Sequence, residues 1–385
     1  MSKSIFKSRL NKANLRSFKN DKLVRLLIIL IILFILSFLI ICAFIDRRLS
    51  VQIINPYDGI NWKNCQQYKA NLHTHTMVSD GWMNPQSVVE LYHKWGYRIL
   101  AITDHAKMTY PWEEFSKFRI TEKTRGRIVN KTPKPQETGY ISEDDTIFIN
   151  LNPSDFEMID VQGAELYYDR HDVNSYFNNY ESTDRNGTLD SITARNGIAV
   201  FNHPGRYNYP LMWYIDLYTK YDNLIGIEVF NCGNRYPDDD KRWDSILTVM
   251  SPARPVWGFS NDDFHSLRDF GRDWEVFLLP EFSNKAVRNA MEKGNFYIVN
   301  APKGHSGPAT PGIKSVSVNE RKGYIKIEAL NCDSIKWISN GEKIGKGSQF
   351  SINELADTCY YVRAELYGQG NSVVCTQPFF IKFPK

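Results

Sequence analysis

Asn71-Leu72-His73-Thr74-His75-Thr76-Met77-Val78-Ser79-Asp80-Gly81 is the stretch on which the reading of this chain turns. Residues i and i+2 of a strand face the same way, so His73 and His75 are expected to leave a strand end together, with Asp80 on the loop just beyond. Two imidazoles so placed can share one metal ion. Alone the pair carries little weight, because paired histidines also occur as surface or core residues. Working outward, however, further polar groups close apolar runs. Ile102-Thr103-Asp104-His105 ends one run, and Gly163-Ala164-Glu165 follows Ile159 to Val161 with His171 beyond. Phe201-Asn202-His203-Pro204 ends Ile198 to Phe201, and Asp263-Phe264-His265 follows Val256 to Phe259. Six of the eight histidines thus sit at or just past the C-terminal ends of expected strands.

Between these points strand and helix alternate. Asn84-Pro85 supplies an N-cap and a first-turn proline, Val88, Leu91, Tyr92 and Trp95 repeat at helical spacing, and Gly96 stops the helix. Arg98 to Thr103 reads as the next strand. Helical patterns at 188–195, 213–221 and 239–250 lead into apolar runs at 198–201, 225–230 and 256–259. Repetition of βα units implies an α/β protein with a parallel sheet, ligands gathering at the strands' C-terminal ends. His93 falls on a polar helix face and reads as solvated.

Taken in order, H-x-H, an Asp, D-H, a Glu, H-P and a closing D-x-H resemble the signature of the PHP family, the polymerase and histidinol phosphatase metallohydrolases. The resemblance covers roughly residues 67 to 300. It implies a distorted (β/α)7 PHP-type barrel and a ligand set. One ion would take His73, His75, Glu165 and Asp263; a second Glu165, His171 and His203; a third Asp80, His105 and His265. A carboxylate between two cations neutralises part of their repulsion, which makes Glu165 the natural bridge. D-x-H spacing selects Asp263 over Asp262. Asp104 is expected to orient a ligand from behind, as carboxylates beside ligating imidazoles do. With Arg206 it completes the expected catalytic residues. Arg206, just after His203-Pro204-Gly205, is placed to hold a phosphate oxygen bidentately, with Arg235 and Lys107 as further cations to consider.

Mixed imidazole and carboxylate shells suit Mn, Zn or Fe. Two or three divalent ions would lower the pKa of a bridging water and clamp the entering and leaving oxygens of an in-line displacement. The implied activity is phosphate ester hydrolysis. A non-phosphate ester, carbamate or amide substrate is the alternative of the same class, and a non-catalytic membrane-anchored binding protein the alternative of another.

The N-terminus reads differently. Lys3, Lys7, Arg9, Lys12, Arg16, Lys19, Lys22 and Arg25 crowd residues 1–25 with Asp21 as the one acid, although the whole chain carries only +4. Residues 26–45 hold no charge, Gly or Pro, enough for a helix to span the roughly 30 Å hydrocarbon core. No small-residue cleavage site follows, so an uncleaved transmembrane anchor is expected. Its flanking charges predict a cytoplasmic N-terminus and a catalytic part outside the cytoplasm. Residues 46–66 then read as a short stalk.

Residues 106–155 break the rhythm as a polar insertion, either a basic lid over an anionic substrate or a solvated loop. Pro and Gly mark a linker at 302–312, with His305 in it and inert. Beyond it the period becomes two, and Asn340-Gly341 signals a hairpin, so residues 313–385 are expected to form a small all-β sandwich beside the 67–301 barrel. Cys332 could pair with Cys359 or Cys375, but the cysteine spacing equally suits reduced thiols. Expected partners are the membrane and a phosphorylated small molecule or envelope phosphodiester; nucleic acid is not expected.

Overall fold

The computed structural model describes residues 24–40, 51–112, 118–119, 146–147 and 152–383. Contacts divide the chain into two units, one of which is Gln52–Lys382. The other contains α1 (residues 24–40), whose side chains are exposed along its length. Residues 1–23 and the last five positions of the expected anchor lie outside the described residues. Among the described residues no helix is long and apolar enough to cross a membrane.

The larger unit opens with β1 (Gln52–Ile54) and β2 (Gln66–Asn71). α2 (Pro85–Lys94) starts as its sequence dictates. Asn84 Oδ1 accepts a hydrogen bond from Ser87 N at 2.8 Å, Pro85 needs no partner for a missing N–H, and Gly96 follows at φ +78°. β3 (Tyr97–Leu100) returns parallel to β2. Of the expected insertion, β4 (Phe118–Arg119) and β5 (Thr146–Ile147) form an antiparallel pair. Most of the rest, including Lys117, lies outside the described residues. β6 (Ile159–Asp160) then lies parallel to β3.

The expected all-parallel order fails at the next step. β7 (Gly163–Tyr168) and β8 (His171–Tyr176) form an antiparallel hairpin, and β9 (Ile198–Phe201) runs antiparallel to β8. The cause is local: Asp169-Arg170 is a two-residue turn with Asp169 at φ +56°, so Glu165 and His171 lie on two paired strands of one hairpin. Parallel pairing resumes with β10 (Leu224–Asn231) and β11 (Trp257–Asn261). The connecting helices are α3 (Thr188–Ala194), α4 (Leu211–Lys220) and α5 (Asp239–Met250), as their periodicity predicts. They pack Leu189, Ile192, Tyr214, Tyr218, Trp243 and Leu247 against the sheet.

Two arcs result, one of β2, β3 and β6 and one of β7 to β11. Short bridges from Thr74 to Phe264 and from His105 to Glu165 stitch them together. His75 N donates to Phe264 O, and Ala106 N to Glu165 O, each at 2.8 Å. Backbone bonding thus closes an irregular mixed α/β ring at the strand ends where the histidines lie.

The C-terminal third departs from a separate sandwich. β12 (Asp273–Leu279), α6 (Asn284–Lys293) and β13 (Phe296–Asn300) complete the ring side, β12 pairing antiparallel with β2. β14 (Gly312–Asn319), β15 (Tyr324–Leu330), β16 (Ser334–Ser339), β17 (Glu342–Lys346), β18 (Gln349–Ser351), β19 (Tyr361–Tyr367), β20 (Val373–Cys375) and β21 (Phe379–Lys382) follow. β14, β15 and β18 form their own sheet, but β20 pairs with β13. One sheet therefore runs from β21 through β19, β20, β13 and β12 into β2. Unpaired edges of β13 and β20 satisfy each other, which a pattern of alternating residues cannot reveal. Asn340-Gly341 does make the expected hairpin, at φ +51° and +75° between β16 and β17.

Most of the expected stalk is also built in. β1 pairs with β21, and Tyr57, 2% exposed, accepts from Gln377 N at 2.9 Å. A buried ion pair locks α5 to β19: Arg363 Nη2 and Nε donate to Asp244 Oδ2 and Oδ1 at 2.6 and 2.8 Å. Arg363 Nη1 donates to Glu365 at 2.7 Å, and Tyr361 OH donates to Asp244 Oδ1 at 2.8 Å. Cys332, Cys359 and Cys375 are free thiols. His305 is a packing residue, its ring stacked on Trp95 at 4.5 Å.

Candidate metal centre

Glu165 sits on β7 with imidazoles on several sides. His73 Nε2 is 3.3 Å and His203 Nε2 3.4 Å from its Oε1; His75 Nε2 is 3.3 Å and His105 Nδ1 3.0 Å from its Oε2. Asp263 Oδ1 lies 3.4 Å from His73 Nε2, 3.3 Å from His75 Nε2 and 3.5 Å from His265 Nδ1. Asp80 Oδ1 stands 3.3 Å from His265 Nε2 and 3.7 Å from both His75 Nδ1 and His105 Nε2. Residues spread over nearly the whole ring therefore meet at one point. Among the described residues, three overlapping groups have ligand atoms close enough to hold an ion: His75, Asp80, His105 and His265; His73, His75 and Asp263; His73, Glu165 and His203.

Local structure explains each placement. His73 and His75 point together because they leave β2 at i and i+2. The loop after them folds back sharply, Gly81 N donating to Thr76 O at 2.8 Å. A Cβ on Gly81 would come within 2.5 Å of His75 O, so only glycine lets Asp80 approach. His203 and Asp263 both take left-handed backbone, φ +30° and +46°, which turns their side chains inward past their strands.

The donor set fits divalent cations. Nε2 of His73 and Nε2 of His75 are 3.1 Å apart. Two ring nitrogens that both face carboxylates and each other need a positive charge between them, whether protons or metal. Protonation shifts show the same demand. Burial opposes charge on Glu165, yet His105 and His73 hold its carboxyl well below the usual range, and His73 and His75 do so for Asp263. Burial also opposes protonation of His73, but Glu228, Glu165 and Asp263 outweigh it and raise its pKa. For His265, burial is outweighed by Asp80 and Asp263, and its pKa rises to about 9. His75 moves the other way, lowered by burial and by the neighbouring His265.

Eight of the nine expected ligands converge; His171 does not. Its Nδ1 lies 2.8 Å from Asp172 O, its Nε2 lies 3.1 Å from Tyr214 OH, and its ring stacks on Trp213. Alternation along β8 turns Asp172 toward the site instead, Oδ2 at 3.9 Å from His203 Nε2. Asp104 also differs from its expected part. Its carboxylate bonds hydroxyls and backbone: Oδ1 accepts from Thr76 N and Ser79 Oγ, each at 2.7 Å, and Oδ2 from Thr76 Oγ1 at 2.7 Å and Thr109 Oγ1 at 3.0 Å. It shapes the ligand loop.

The residue that does orient a ligand is Glu228, which the sequence reading missed. Its Oε1 accepts from His73 Nδ1 at 2.8 Å and its Oε2 from His203 N at 2.9 Å. That leaves His73 Nε2 free to coordinate. A carboxylate inside the otherwise apolar Leu224–Phe230 run was the available signal. Asn202, next to His203, likewise fixes Glu165, donating Nδ2 to Oε1 at 2.7 Å.

Of the cations considered, Arg206 is 55% exposed with Nη1 donating to Asp172 at 3.1 Å. It lines a cleft of about 540 Å³ with Arg170, Tyr207 and Tyr209. Arg235 stands closer to the ligands, Nη1 donating to Asp263 Oδ2 at 3.0 Å. Lys107 is exposed and faces Glu181 at 3.9 Å, outside the cluster.

Comparison with known proteins adds the following. No curated protein matches the chain. Solved structures of similar fold include a two-domain protein from Bacteroides vulgatus containing a predicted PHP-like metal-dependent phosphoesterase: 14% identity, 85% of this chain and 89% of that one covered, TM-score 0.45. Another is an amidohydrolase from Chromobacterium violaceum with bound sulfate and no metal: 15% identity, 60% and 97% covered, TM-score 0.35. A third is the lesion-specific endonuclease from Pyrococcus furiosus: 11% identity, 59% and 56% covered, TM-score 0.33. At such identities and scores these likenesses carry no argument about activity. The family model that matches is the PHP domain, over residues 71–244, a stretch that holds His73, His75, Asp80, His105, Glu165 and His203. Residues 71–244 are thus similar to the PHP domain, over somewhat less than half of the chain.

Proposed function

We propose that the protein is a metal-dependent phosphoesterase, tethered to a membrane through residues 26–45 with its catalytic unit outside the cytoplasm. The observation that carries the enzymatic reading is Glu165, ringed by His73, His75, His105 and His203 at 3.0–3.4 Å. The protein is an enzyme of the hydrolase class. Divalent ions held by this set would activate water at neutral pH and stabilise charge on the oxygens of a phosphoryl group in transfer. Glu228 fixes the His73 tautomer, Asn202 and the β7 backbone fix Glu165, and Asp104 holds the Asp80 loop in place. Arg235 and Arg206 present guanidinium groups at the rim, where a forked donor suits the non-reacting oxygens of a phosphate. Supporting the tether are the uncharged run at 26–45 and the basic residues before it. Substrates consistent with that address are a phosphorylated small molecule or an envelope phosphodiester.

The test is hydrolysis of aryl phosphate mono- and diesters against aryl acetate and an aryl amide, using the full chain in detergent loaded with Mn or Zn and His75→Ala as control. Phosphoester turnover lost in His75→Ala is the expected result. Turnover of acetate or amide alone would move the reading to a non-phosphate hydrolase, and ion binding without any turnover would favour a binding protein. Reporter fusions placed after residue 50 test the orientation, with an extracytoplasmic signal expected.

A further inference from the structure

One expected ion position lacks its imidazole. The second ion was to take Glu165, His171 and His203, but His171 bonds Tyr214 and Asp172 takes the inward place on β8. The group of His73, Glu165 and His203 does not make good the loss. His73 Nδ1 is committed to Glu228 at 2.8 Å, so only Nε2 can bind an ion. That same nitrogen belongs to the His73, His75 and Asp263 group, and a ring nitrogen has a single in-plane lone pair. Whichever ion takes it deprives the other. Glu165, His203 and Asp172 then remain, and Asp172 is already paired in charge with Arg206 Nη1 at 3.1 Å and accepts a hydrogen bond from the Tyr207 hydroxyl. A dication there would face a guanidinium whose charge is permanent.

We propose that Arg206 is the third cation of this centre. Two divalent ions occupy the group of Asp80, His105 and His265 and the group of His73, His75 and Asp263, with Glu165 between them. The arginine, in place of a metal, balances Asp172 beside His203. It is 55% exposed and lines the cleft with Arg170, Tyr207 and Tyr209, where it can also meet an anionic substrate. This inference rests on reading the cluster as a metal centre, though not on which bond the enzyme cleaves.

The test is ion stoichiometry of the full-length chain, by elemental analysis after equilibration with excess Mn²⁺ and removal of free ion. Two ions per chain are expected for the wild type, and two for Asp172→Asn, since Asp172 is not a ligand. The double variant Asp172→His with Arg206→Ala restores an imidazole and removes the guanidinium, and is expected to hold three. Three ions in the wild type overturn the proposal, as does loss of one ion in Asp172→Asn, or a double variant that folds, by circular dichroism, and still holds two. Should the double variant not fold, the wild type and Asp172→Asn decide the matter. Binding of no ion would sink the metal-centre reading itself, a result distinct from three. Two bound ions without phosphoester turnover would support the stoichiometry while failing the activity.

Discussion

Two of the buried polar clusters among the described residues handle charge in opposite ways. Where α5 meets β19, Arg363 is paired with Asp244 and Glu365 at 2.6–2.8 Å and Tyr361 donates to the same Asp244. Each group there finds its partner within the chain. At the ring's open end Arg235 answers one oxygen of Asp263, but Glu165, Asp80 and the other oxygen of Asp263 face imidazoles that are neutral in their ordinary state, so further cations come from outside as protons or metal. A self-sufficient ion pair stabilises a junction. An incomplete set costs stability and stores binding capacity for a ligand.

The comparison can be broken most sharply at its centre. Glu165→Ala should lower hydrolysis by at least about 10²- to 10³-fold, the order expected when a preorganised electrostatic group is removed. Its urea unfolding midpoint should move far less, and an equal loss of stability would make Glu165 a structural residue like Arg363. Arg363→Met tests the other side. It leaves Asp244 buried and unpaired, so chemical denaturation should show a loss of about 3–5 kcal/mol, while turnover per folded molecule stays near wild type. Adding Asp244→Leu should recover much of that loss, because a buried pair replaced whole by apolar groups is close to neutral.

Smaller effects sharpen the distinction. Glu228→Gln should weaken ion affinity about 10- to 100-fold by releasing the His73 tautomer, as measured by calorimetric titration with Mn²⁺ or Zn²⁺. The smallest is a pH effect. In the ion-free protein His265 binds its proton more tightly than in the unfolded chain, its pKa raised from 6.5 to about 9. Its stabilising contribution is therefore complete below pH 6.5 and is lost as pH rises through 9. The ion must displace that proton, so affinity should rise over the same window. Thermal melts of chelated protein and ion titrations from pH 6.5 to 9 check both signs, and parallel trends would contradict the account.

Why some of this was legible in sequence and some not follows from which forces are local. Asn84-Pro85 before an apolar repeat starts a helix, Asn340-Gly341 turns a hairpin, and His73-Thr74-His75 leaves a strand on one face, all because neighbouring dihedrals decide them. Eight of the nine expected ligands in the run from His73 to His265 come together, most of them at or just past strand ends. His171 and Asp172 mark the limit, since a one-residue difference in where β8 begins exchanges the faces of every side chain on it.

The sequence by itself determined the strand ends, the helices and the acids and imidazoles set upon them. Only the tertiary structure decided that β9 runs antiparallel to β8, that β20 joins β13 to merge the C-terminal strands with the ring, and that Glu228 stands behind His73. These are pairings across long separations in the chain. They are chosen by which edges and buried polar groups have no other partner, a condition that exists only once the whole fold has formed.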